Sequence, residues 1–129
     1  MITASLKNYR ISPRKVRLVA DMIRGKGVLQ AKNILDTVIK KAGNPLGVLL
    51  DSAIANASHN HKIEKDVLFV KEIRVDAGFV MKRHKPVSRG SAHPIKHRMS
   101  HISIMLAPIE AKKVVKEAKE KVVKKIKNK

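Results

Sequence analysis

The apolar positions of the chain follow two periods, and the change between them marks its parts. Ser12-Pro13 reads as a helix start, because proline lacks an N–H and the first helical position does not need one. Val16, Val19, Ala20 and Ile23 then recur at helical spacing, and Gly25 supplies a stop. Arg14, Arg17 and Arg24 lie along the opposite side, interrupted by Asp21. A second short helix is predicted from Val28 to about Val38, with Val28, Ala31, Leu35 and Val38 inward. Gly43-Asn44-Pro45 breaks or restarts the helix. A third helix then follows to about Asn60, marked by Leu46, Leu49, Leu50, Ala53, Ile54 and Ala57.

Period two appears on both sides of these helices. Residues 2–9 form a plausible first strand. Val67 to Val75 is β-branched and apolar, with Glu72 and Arg74 on one face and Ile73 and Val75 at alternate positions. His101 to Leu106 alternates with Ile102, Ile104 and Leu106 on one face. Three strands with helices on one side give an α+β domain, a small three-stranded antiparallel sheet packed with about three helices. Between the second and third strands, residues 77–101 read as a long protruding β-hairpin, with turn formers Pro86, Ser88 and Gly90 near its middle. Arms of ten to twelve residues at about 3.3 Å each would reach roughly 30–40 Å. The expected organisation is therefore a globular domain over 1–109 that includes the hairpin. A Lys-rich extension follows over 110–129, helical or disordered.

Charge changes how the hairpin must be read. The 129 residues carry 29 Lys and Arg against 10 acids, a net charge of +19. Such self-repulsion opposes compaction, and a polyanion would relieve it. The segment between Asp76 and Glu110 holds six Lys/Arg and four His with no acid at all. A two-stranded hairpin is marginal in water even with an apolar face, and this one offers mainly Phe79, Val80, Met81, Val87 and Ile95. A floppy loop is the plain alternative. An acid-free excursion of this length is better explained by ordering on RNA phosphates, with Arg89-Gly90 near the apex letting backbone and guanidinium approach together.

Several chemistries are excluded or weakened. There is no Cys, which removes disulfides, thiolate metal sites and Cys nucleophiles. His93, His97 and His101 recur every four residues, but without nearby carboxylates and among Lys and Arg they do not make a metal site; no metal and no cofactor is expected. Ser52, Ser58, His59 and Asp66 form no catalytic constellation, and no phosphate-binding Gly pattern is present, so neither an enzyme nor a small-molecule substrate is expected. The apolar runs are too short for a membrane span. Met1 to Leu6 lacks the basic start and apolar stretch of a signal peptide, so a cytoplasmic protein is expected. In the 110–129 extension Val115, Ala118, Val122 and Ile126 share one helical stripe among lysines. That stripe suits a solvated basic helix, an added RNA contact or an anionic-membrane helix. A DNA-binding architectural protein would explain the charge equally well, but would call for a recognition helix or groove wedge with dimer symmetry.

Three ordered blocks closely resemble the ribosomal protein family called L twenty-two. They are Ser12-Pro13-Arg14-Lys15-Val16-Arg17-Leu18-Val19-Ala20-Asp21 through Gly25-Lys26; Ser52-Ala53-Ile54-Ala55-Asn56-Ala57 with His59-Asn60; and the hairpin. In the hairpin the resemblance runs through Met81-Lys82-Arg83, Pro86, Arg89-Gly90, Ala92, Ile95, His97-Arg98 and Ser100-His101-Ile102, and in all it covers about residues 2–107. It implies a structural constituent of the large ribosomal subunit that binds large-subunit ribosomal RNA and supports early assembly. It also implies neighbouring ribosomal proteins as partners, and a hairpin that lines the polypeptide exit tunnel in transient proximity to the nascent chain. The RNA-binding candidates are Arg10, Arg14, Lys15, Arg17, Arg24 and Lys26 around the first helix, with Lys82, Arg83, Lys85, Arg89, Lys96, His97, Arg98 and His101 on the hairpin. The tunnel-lining candidates are Met81, Lys82, Arg83, His84, Lys85, Pro86, Arg89 and Gly90. Ser91, His93 and Pro94 stand where many bacterial members carry more Arg, so a strong contact of that flank with RNA or nascent chain is not carried over.

Overall fold

The computed structural model describes residues 2–109; the 110–129 extension lies outside the described residues. The order of elements is β1 (Ile2–Tyr9), α1 (Pro13–Ile23), α2 (Val28–Thr37), α3 (Gly43–His61), β2 (Leu68–Pro86) and β3 (Ala92–Pro108). The sheet is antiparallel in the order β1-β3-β2. The α+β expectation holds, with three helices on the face that carries Ile2, Ala4, Ile73, Val75, Ile102, Ile104 and Leu106.

Each helix buries the stripe its sequence encodes. On α1 these are Val16, Val19, Ala20 and Ile23; on α2 Val28, Ala31 and Leu35; on α3 Leu46, Leu49, Leu50, Ala53 and Ala57. Small residues at 53 and 57 let α3 approach the sheet closely. Helix boundaries differ modestly from expectation. Gly43-Asn44-Pro45 forms the first turn of α3 rather than preceding it, because proline is harmless where the N–H has no intrahelical acceptor. Ser12 sits at the N-cap of α1, but its carbonyl, not its hydroxyl, accepts from Lys15 and Val16. Helix α3 ends in a left-handed cap: Lys62 takes φ 52°, its N–H donates to the Ser58 carbonyl four residues back, and the Ile63 N–H donates to the Ala57 carbonyl.

The strands show the largest difference from the sequence pattern. The short strands expected at 67–75 and 101–106 do not stop where the hairpin begins. They run on as two strands of 19 and 17 residues, because pairing continues from Leu68↔Pro108 out to Pro86↔Ala92 without a turn residue to end it. Val67 itself belongs to a 3₁₀ turn before β2. The central strand β3 is regular, whereas its neighbours absorb the extra residues. Strand β2 bulges between Val70 and Glu72 and again between Ala77 and Val80, and β1 is irregular between Leu6 and Tyr9. At the second bulge Gly78 lies against β3 so closely that a Cβ would stand 3.1 Å from His101 Nε2 and 3.2 Å from the Met99 carbonyl carbon. A side chain there would push the two strands apart.

Both outer strands meet helix side chains at their backbone carbonyls. Arg17 donates from Nε and Nη2 to the Val75 carbonyl at 3.1 and 2.8 Å, and Arg24 Nη2 donates to the Ile73 carbonyl at 3.2 Å. These carbonyls are two residues apart and point the same way from β2. Asn56 Nδ2 of α3 donates to the Thr3 carbonyl of β1 at 3.2 Å. Backbone acceptors of edge strands, which would otherwise invite another strand, are thus occupied from within the fold.

Candidate nucleic-acid interface

The hairpin is the first part of the site. Beyond the bulge its arms pair as Val80↔Arg98, Met81↔His97, Lys82↔Lys96, Arg83↔Ile95, His84↔Pro94 and Lys85↔His93. From position 82 to position 98 every residue is exposed, so among the described residues no buried side chain holds this portion together. Lys82 and Lys96 stand directly opposite, a like-charge pairing that destabilises a ladder. The arms from Ala77 and Ser100 outward have about ten residues each, which at about 3.3 Å per residue gives a reach of roughly 30 Å.

The apex is a two-residue turn. Arg89 has φ 57° and Gly90 φ 73°, the backbone of a primed turn that matches strand twist. Val87 N–H donates to Ser91 O at 2.9 Å, and the Ser91 hydroxyl donates to Ser88 O at 2.9 Å. The Arg89 side chain consequently projects from the tip.

The second part is a groove of about 880 Å³ at the base of the hairpin. Three segments far apart in sequence form it: residues 10–18 around the start of α1, residues 39–42 between α2 and α3, and residues 81 and 96–99 of the hairpin base. It is lined by Arg10, Lys15, Lys40, Lys41, Lys96 and Arg98, with His97 beside them, and by no acid among the described residues. The acids of the globular part lie elsewhere, three of them paired: Asp21 with Arg24, Asp51 with Lys32 and Glu72 with Arg74. The amino end of α1 borders the groove and adds the positive end of a helix dipole. Its apolar lining comes from Ile11, Leu18, Met81 and Met99, together with the fully exposed Ile39. Tyr9 supports this wall from below; its hydroxyl donates to the Lys41 carbonyl at 3.1 Å, and burial raises its pKa above the ordinary value.

The residues expected to bind RNA therefore separate into groups. Arg10, Lys15, Lys96, His97 and Arg98 come together around the groove. Lys82, Arg83, Lys85 and Arg89 are carried outward on the hairpin, together with His84, Pro86 and Gly90, whereas Met81 stays at its base and lines the groove. Arg14 and Lys26 are exposed on or beside α1 away from the groove lining. Arg17 and Arg24 are engaged with carbonyls of β2, which gives each a structural task on the protein's own backbone. His101 is half-buried, and its Nδ1 accepts the Asn8 N–H at 3.1 Å. Lys40 and Lys41 belong to no motif and lie outside the acid-free stretch, so charge sorting along the chain passes over them. The adjacent Lys-Lys pair before a helix start is the one local signal they leave.

A basic groove continuous with a basic, coreless hairpin can hold a polyanion along its length, with phosphates at the rim and less polar groups on the floor. The model of the family described as Ribosomal protein L22p/L17e matches residues 4–107, which includes both parts of the site. A relative in Deinococcus radiodurans is 52% identical over 104 residues, covering 81% of this chain and 78% of that protein. One in Rubrobacter xylanophilus is 49% identical over 107 residues, 83% of this chain and 84% of its own length. One in Syntrophus aciditrophicus is 50% identical over 103 residues, 80% and 94% respectively. Each of the three is named large ribosomal subunit protein uL22.

Proposed function

Because the chain belongs to the ribosomal protein L22p/L17e family, we propose that it is an RNA-bound constituent of the large ribosomal subunit whose hairpin is completed by ribosomal RNA. Membership itself makes it a non-enzymatic ribosomal protein of the large subunit, ribosome-bound in the cytoplasm. The finer reading has three parts: it binds large-subunit ribosomal RNA, it contributes early in subunit assembly, and its hairpin lines the exit tunnel close to the nascent chain. The observation that carries it is the hairpin itself. Two paired arms of about ten residues, with no buried side chain beyond the base and with Lys82 facing Lys96, need counter-charge on both sides. RNA phosphates supply that counter-charge, and packed ribosomal RNA supplies it on every face at once.

On this reading the groove and α1 anchor the domain to RNA, while Lys82, Arg83, Lys85 and Arg89 are distributed along the projecting arm to meet phosphates deeper in the subunit. Lys82 to Gly90, carried on the projecting arm, form the tunnel-facing portion, with Met81 at its root. Neighbouring ribosomal proteins complete the surroundings of the globular part. The test is binding of transcribed large-subunit ribosomal RNA as a function of salt, for the full chain and for a chain in which residues 80–98 are replaced by a short turn. The trimmed protein should fold and bind RNA with a smaller salt slope, because it has lost phosphate contacts but no core residue. Equal slopes for the two proteins would refute the hairpin's role in RNA binding.

A further inference from the structure

Ile39 is the least protected large apolar side chain among the described residues, with a relative exposure of 101%. Isolated exposed aliphatics are ordinary on protein surfaces, but this one is not isolated. It lines the same groove as Leu18, itself 63% exposed, and as Met81 and Met99 of the hairpin base. Nor is its segment loosely held. Tyr9 fixes the Lys41 carbonyl, and at Gly43 the chain turns so tightly that a Cβ would stand 3.1 Å from the carbonyl oxygens of both Leu35 and Val38. An apolar side chain followed by Lys40 and Lys41 is therefore presented on a backbone held in place.

Resting on the proposed RNA-binding function, we infer that this groove is a seat for unstacked bases of the bound RNA, with Ile39 as a wedge against the face of a base. The chemistry of the lining selects the occupant. Six Lys and Arg, with no acid beside them among the described residues, favour a polyanion, whereas the apolar side chains of the lining favour flat, weakly polar surfaces. A nucleotide strand combines the two, with phosphates outward and base faces inward. A regular A-form helix hides its base faces in the stack, so the segment seated here is a bulge, a loop or a sharply bent step. Aliphatic side chains that enter such steps hold bases apart by covering the exposed face. Lys40 and Lys41 on one side and Lys96 and Arg98 on the other clamp the flanking phosphates.

The chain has no Trp, so Ile39→Trp creates a single fluorescent reporter at a fully exposed position without displacing any neighbour. The full-length variant is titrated with transcribed large-subunit ribosomal RNA while binding is followed separately by filter retention. Stacking should quench the Trp emission in step with binding. Ile39→Ala should weaken binding roughly five- to tenfold with an unchanged salt slope, since it removes apolar contact and no charge. Lys40→Ala with Lys41→Ala should lower the slope. RNA binding without quenching, together with wild-type affinity for Ile39→Ala, would overturn the seat while leaving the RNA-binding function standing. Wild-type RNA affinity for Ile39→Ala with loss from reconstituted subunits would overturn it in favour of a neighbouring protein. Failure of the unaltered chain to retain RNA would overturn both readings.

Discussion

Replacing Arg17 with Ala separates two tasks that an arginine on the polar side of α1 could perform. Its guanidinium donates twice to the Val75 carbonyl, at 3.1 and 2.8 Å, in a part-buried setting. Hydrogen bonds from a charged donor contribute about 1.5–3 kcal/mol. Solvent reaches the rest of the side chain, so the lower end applies and a loss of about 1.5 kcal/mol in folding free energy is expected. A domain of this size shifts its melting temperature by roughly 4–8 °C per kcal/mol, which places the decrease at roughly 6–12 °C. The comparison is Arg14→Ala, one turn earlier and fully on the surface. It should melt within about 0.5 kcal/mol of the unaltered protein yet lower the RNA-binding salt slope by about 0.9. Calorimetry or circular dichroism gives the first quantity and filter binding across salt concentrations the second. If Arg17→Ala melted with the unaltered protein while lowering the slope by a full contact, its guanidinium would be serving a phosphate and the edge-capping role would be wrong.

Other changes test separate parts of the structure. Lys62 holds φ 52° at the end of α3, a conformation that costs a side-chain-bearing residue about 1–2 kcal/mol; Lys62→Gly should therefore raise stability by about 1 kcal/mol in urea unfolding. Ser100 is fully buried with no partner for its hydroxyl among the described residues, so Ser100→Ala should be neutral to about 1 kcal/mol stabilising, where a loss would reveal a hydrogen bond in the folded protein. The hydrogen bond to Asp51, then its charge, raises the Lys32 pKa. A raised lysine favours the protonated folded form, so the pair's contribution is complete below the unfolded value of about 10.4 and is lost as pH rises through the higher folded value. The stability difference between the unaltered chain and Asp51→Asn should stay constant from neutral pH upward and shrink only in that alkaline window; shrinkage near pH 8 would contradict the assignment.

Much of the globular part is legible from spacing alone. Val16, Val19, Ala20 and Ile23 are all buried as their helical period requires, and Ile102, Ile104 and Leu106 are buried as alternation requires. The hairpin's apex at Arg89-Gly90 follows from its turn residues. The length of β2 and β3 is less visible, because alternation fades beyond Val75 while backbone pairing does not. The tasks of Arg17 and Arg24 are hidden for another reason. An arginine on the polar side of a helix has the same sequence signature whether it meets water, phosphate or a carbonyl. The groove could not be read at all. Residues 10–18, 39–42 and 96–99 meet only in the folded chain, and Ile39 breaks no local pattern that would single it out. Positive φ at Lys62 and Arg89 is equally silent, since neither residue type advertises it.

The bulge between Ala77 and Val80 sets which lengths the hairpin can evolve through. Strand β3 carries its alternation unbroken from the sheet to the tip, and β2 takes up one extra residue at the bulge to stay in step with it. Loss of one residue from β2 near Gly78 would take out the bulge and leave Met81 to Pro86 opposite their present β3 partners, whereas loss of one residue farther out would turn the residues beyond it to the opposite face or slide them against β3. Loss of one residue from each arm would preserve pairing but invert both faces. Away from the bulge, only changes of two residues per arm keep every cation on its original side. The hairpin's length is thus inherited in steps of about two residues per arm, or roughly 6.6 Å of reach. Lineages that shorten or extend it should do so in those increments, or compensate at the bulge.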